Sequence, residues 1–136
     1  MPHITPFDKL LQEAEVIQQF AEITMSGEMD EAVARGNDLQ VYMARTGAML
    51  ADAKYWLNTS RKSEAVKAIA KILKAGALSA GVQNAMIDGV CENEQRLVDT
   101  LDRLNRTCTH QLDWCRTIVS KGKAEMQTFG KNKEFN

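Results

Sequence analysis

Positions 103 to 117, Arg-Leu-Asn-Arg-Thr-Cys-Thr-His-Gln-Leu-Asp-Trp-Cys-Arg-Thr, hold the densest set of side chains able to do chemistry. On a helix, Arg103, Arg106, His110, Asp113 and Thr117 recur every three or four residues and form one polar stripe with Trp114 at its edge. Arginines suit phosphate oxygens and tryptophan stacks on a base, so the stripe is a candidate phosphate or single-strand surface. The stronger expectation is a buried polar network that fixes helix register, with Trp114 in the core. Threonine, asparagine and histidine are poor choices for a merely solvated helix.

A second cationic group, Arg61, Lys62, Lys67, Lys71 and Lys74, gives a basic face with 67, 71 and 74 on one side. A solvated face is its ordinary meaning, and phosphate binding is the alternative. The alternative gains from Ile69-Ala70, Leu73, Gly76, Leu78-Ser79 and Val82, which resemble a helix-turn-helix. Gly76 follows Ala70 by six residues where that motif has four, so the tight turn is lost.

Cys108 and Cys115 share a helical face but lie about 10 Å apart along it, too far for one zinc ion or a disulfide. They read as small buried groups. His3 and His110 are the two histidines, and the sequence has no nucleophile elbow, phosphate loop or zinc-protease motif. Asp88 and Glu92 share a face and would join a metal site only if another helix contributed. Asp99 with Arg103 and Asp102 with Arg106 read as acid-before-base pairs along one helix. The expectation is a protein without catalysis, cofactor or metal.

The elements that must position these residues are helical, because Pro2 and Pro6 are the only prolines in 136 residues. Thr5-Pro6-Phe7-Asp8 reads as a helix start capped by Thr5. Phe7, Leu10, Leu11, Ala14, Ile17, Phe20 and Ala21 give one apolar face, and Ser26-Gly27 ends it. A second helix is predicted from Glu28 or Met29 to Leu57, on a seam of Leu39, Met43, Thr46, Leu50, Ala53 and Leu57. Asn58-Thr59-Ser60 reads as a turn, followed by a helix over about 61 to 75 that Gly76 stops. Ser79 caps a fourth helix. From there the apolar period continues to about residue 128, which as one helix would span about 70 Å. A compact chain of this length is about 36 Å across. The helix therefore breaks between Asp88 and Gln95, or the molecule is elongated and finds partners in other copies.

Composition supports a single folded domain: 44% of residues are hydrophobic and 26% charged. The net charge of −1 removes the argument that bulk charge carries the chain to nucleic acid or membrane. The charge is unevenly placed, with eight acids against Lys9 and Arg35 in residues 1–38 and seven bases against Asp52 and Glu64 in residues 39–87. Three cysteines, an odd number, and no basic start leading into an apolar run give a cytoplasmic expectation with no membrane span.

Residues Met43 to Lys54 and Leu104 to Lys121 resemble small helical proteins encoded by phages and prophages, often near DNA-replication or recombination genes. The resemblance covers about a quarter of the chain, implies a phage accessory protein, and assigns no residue a role. The full expectation is an all-α, elongated bundle of four or five helices with a long C-terminal helix. Residues 1–129 form one domain and 130–136 a frayed tail. Such a chain would act as a homo-oligomeric interaction or accessory protein, with a protein partner, in phage DNA metabolism. The alternative is a nucleic-acid binder using Lys67, Lys71, Lys74, Arg103, Arg106, His110 and Trp114.

Overall fold

The computed structural model describes residues 3–76 and 78–134, excepting the side chains of Glu64 and of residues 131–134. The described residues form an all-α bundle of five helices: α1 (Phe7–Ala21), α2 (Met29–Arg61), α3 (Glu64–Ala75), α4 (Ala80–Val90) and α5 (Glu92–Glu134). Two long helices dominate it. At 1.5 Å per residue α2 is about 50 Å long and α5 about 65 Å.

α2 and α5 pack antiparallel in one constant register. Met29 lies at Gly122, Gly36 at Cys115, Thr46 at Asn105 and Ser60 at Cys91, and the two numbers of each pair have the same sum. Gly36 is buried in this seam: a Cβ there would sit 3.6 Å from the Cys115 Cβ and 3.7 Å from Leu112. α1 fills the groove alongside, antiparallel to α2 and parallel to α5. Glu13 meets Arg45, Phe20 meets Tyr42, and Gln111 reaches Ala21. The core is the shared seam of these three helices, with Leu10, Ile17, Leu39, Met49, Leu101, Leu104 and Leu112 fully buried. Burying a large aliphatic side chain contributes about 1.5 to 3 kcal/mol.

Several boundaries differ from the sequence reading. α1 ends at Ala21 rather than at Ser26-Gly27, and Gly27 instead supplies a left-handed turn residue (φ 89°) before α2. Thr5 does not cap α1. Pro6 occupies that position, while the Thr5 amide donates to Asp52 (3.1 Å) and its carbonyl accepts from the Trp56 indole (2.8 Å), which clips the leading segment onto α2. The turn expected at Asn58-Thr59-Ser60 is helical. α2 carries on to Arg61, and Ser63 is the residue that caps α3 through the Val66 amide. Tertiary packing explains this, because Leu57 and Cys91 are buried at that end and Ser60 contacts Cys91. Leu11, assigned to the inner face of α1, is exposed.

Ser79 caps α4 and Gly76 ends α3, as the sequence indicates. The long apolar run breaks at Cys91, inside the expected window, and the molecule is elongated as well. α5 is helical through Gly130 to Glu134, past the point where the sequence reading began a frayed tail. No helix among the described residues is long and apolar enough to cross a membrane.

Candidate interaction surfaces

The polar residues of the middle of α5 divide between two faces. Asn105 and Gln111 point inward. The Asn105 amide donates to the Met43 carbonyl (2.8 Å) and to the Thr46 hydroxyl (2.9 Å), and Thr46 is the one polar residue that is fully buried among those described. Gln111 donates to the Ala21 carbonyl (2.8 Å) and accepts from Arg35 (2.9 Å), whose guanidinium lies over the Phe20 ring at 4.8 Å. The Gln111 bond satisfies the Ala21 carbonyl at the end of α1, which has no partner within its own helix. A register-fixing network thus exists, built from Thr46, Asn105, Arg35 and Gln111.

The predicted stripe does not belong to that network. Arg103, Arg106, His110, Asp113 and Thr117 are exposed, and Trp114 is 60% exposed rather than in the core. Trp114 lies beside Ile23, Met25 and Gln111 at the α1–α2 connection. Charge on this face is mixed. Arg106 pairs with Asp102 and Arg116 with Asp113, while Asp99 accepts from Gln95 rather than from Arg103.

Lys67, Lys71 and Lys74 are exposed on α3, which packs against α4 and the end of α2 and has no extended contact with α5. The α3–α4 hairpin sits at the end of the rod where α2 stops and α5 starts, held there by Arg61 to Asp88 (3.1 Å). Arg103, Arg106, His110 and Trp114 lie along α5 at about 17 to 33 Å from that junction. The structure therefore places the seven proposed nucleic-acid residues on two separate surfaces. α4, in the position of a recognition helix, is largely apolar and carries no basic residue.

Cys91, Cys108 and Cys115 are free, buried thiols, and burial pushes the Cys108 and Cys115 thiols above their ordinary range. No group of three His, Cys, Asp or Glu side chains among the described residues is arranged to hold a metal ion. Asp88, proposed with Glu92 for such a role, is engaged by Arg61.

Sequence reasoning missed two surfaces. α4 has no buried residue, although it is built of alanine, glycine, valine, methionine and isoleucine with only three polar residues. α5 runs twelve residues past Gly122, where Met29 begins α2, and there Met126 is 63% and Phe129 66% exposed. The signal was an apolar surface wider than one packed face on α4 and, on α5, an apolar period that runs past the start of α2. No protein-family model, no curated protein and no solved structure matches this chain.

Proposed function

We infer that this protein is a non-enzymatic helical interaction protein that works as an oligomer, presenting helix faces to other macromolecules. The observation that carries the reading is apolar surface left open on one helix: the whole outer face of α4, where Val82, Met86 and Val90 are exposed. A helix that is apolar around most of its circumference is stable where something covers it. The resemblance to phage-encoded proteins adds the setting of an accessory factor for a DNA-replication or recombination complex, in which the contact is made with protein.

The second reading, direct contact with nucleic acid, is favoured by the exposure of Trp114 on the same face of α5 as Arg103 and Arg106. The acids interleaved with those arginines, and the distance to the α3 lysines, weigh against it.

A salt titration with single-stranded and duplex oligonucleotides separates the readings. Phosphate contacts release counterions and give a log-log slope of about 0.7 to 0.9 per contact. The expected result at physiological salt is nothing tighter than the non-specific range of about 10⁻⁴ to 10⁻⁶ M. Tight, salt-steep binding that is lost in the Lys67→Ala, Lys71→Ala, Lys74→Ala triple variant would replace the interaction reading with the nucleic-acid one.

A further inference from the structure

At 100° per residue, Gly81, Ala85, Gly89, Val82, Met86 and Val90 fill an arc of about 180° on α4. All six are exposed, Val82 at 43%, Met86 at 47% and Val90 at 49%. A Cβ added at Gly81 or Gly89 would meet nothing within 4 Å. The polar residues Gln83, Asn84 and Asp88 lie outside this arc, and Gln83 and Ile87 turn inward, half-buried. The open arc is thus two parallel rows at i, i+4, i+8: a ridge of Val82, Met86 and Val90 beside a furrow of Gly81, Ala85 and Gly89. An isolated helix of eleven residues is marginal in water. This one leaves its apolar half uncovered.

We propose that α4 is the crossing helix of a two-fold dimer, its open face covered by α4 of a second copy in antiparallel orientation. The proposal rests on the interaction reading above and names the partner. Shape favours it, because ridge and furrow lie side by side on one face. A two-fold axis near Ala85 lays each ridge in the other copy's furrow, the arrangement in which i±4 rows interdigitate. Charge favours the same orientation. α3 ends beside the start of α4, which places Lys71 and Lys74 there, while Glu92 opens α5 directly after α4 ends. In an antiparallel crossing the lysines of each copy approach Glu92 of the other, twice per dimer. A parallel crossing would oppose lysine to lysine. The arc and its flanks offer on the order of 500 Å² per copy, below the roughly 800 Å² of a standard interface, so the dimer is expected in the micromolar range.

Sedimentation velocity and light scattering between about 1 and 200 µM, a span chosen around that affinity, test this. The wild type should pass from monomer to dimer. Met86→Glu puts a charge on the ridge and should raise the dissociation constant at least about tenfold. Gly81→Gln with Gly89→Gln fills the furrow with a better helix former than glycine, so it strengthens the monomer's helix while weakening the dimer. Lys74→Glu and Glu92→Lys should each weaken the dimer by roughly two- to tenfold, and the two combined in one chain should restore it. A monomer throughout the range would overturn the proposal, as would a dimer indifferent to Met86→Glu and to the glycine pair. In that second case the interaction reading stands with a different surface. Failure of the charge swap to restore association would overturn the antiparallel crossing.

Discussion

Between α1 and α2, Glu13 accepts two hydrogen bonds from the Arg45 guanidinium, at 2.5 and 2.8 Å. Those bonds hold the Glu13 carboxyl below its ordinary value of 4.5, burial opposing them and the charge of Arg45 adding to them. A carboxylate whose folded value is lowered stabilises the fold fully above its unfolded value, and that contribution is lost as pH falls through the folded value. Both side chains are 36% exposed, so solvent screening limits the pair to about 0.5 to 1 kcal/mol. Glu13→Gln should lower the unfolding free energy obtained from urea titration at neutral pH by that amount, and the deficit should shrink as pH drops below 4.5. A deficit that grows in acid would contradict the assignment. The thiols give a second expectation at this scale. Cys108 and Cys115 are buried and their ionisation is pushed up by desolvation, so a disulfide exchange reagent should label neither in the native state at neutral pH. Unfolding should expose all three cysteines together, and rapid native labelling of Cys108 would contradict the packing.

At the scale of the helix, Leu104 is buried in the three-helix seam and Lys71 is exposed on α3. Leu104→Ala should cost about 2 to 5 kcal/mol in denaturant unfolding. Lys71→Ala should stay within about 0.5 kcal/mol. Equal small losses would reject the assigned faces. The faces of α1, α2 and α5 were legible because the three-four spacing of Leu10, Ile17, Leu39, Leu101, Leu104 and Leu112 reports burial directly. Ser79 was legible as the cap of α4, and the cap at Ser63 shows why other boundaries were harder. The sequence reading places the turn at Asn58-Thr59-Ser60, whereas the fit of Leu57 and Ser60 against Cys91 carries α2 on to Arg61 and leaves Ser63 to cap α3. The site was half legible for a similar reason. The stretch around residue 110 does hold the register network, but Asn105 and Gln111 enter it because they flank the Leu101, Leu104, Cys108, Leu112 seam. Arg103, Arg106 and His110 lie too far round the helix to reach Thr46 or the end of α1.

For the molecule as a whole, the length of α5 decides the outline. Forty-three helical residues span about 65 Å, nearly twice the roughly 36 Å diameter of a compact chain of 136 residues. Dilute small-angle X-ray scattering should therefore give a maximum dimension of at least about 65 Å for the monomer. A value near the compact diameter would mean that α5 is broken. The same measurement at higher concentration distinguishes the ways two rods can join. α4 sits at the end where Ser60 meets Cys91, while Met126 and Phe129 lie at the opposite end. Joining two copies at that one end, with the rods extending away from the junction, should raise the maximum dimension well beyond that of one rod as the dimer fills. Copies joined side by side along α2 and α5 would double the mass at nearly constant length, an outcome that would move the interface from α4 to the seam helices.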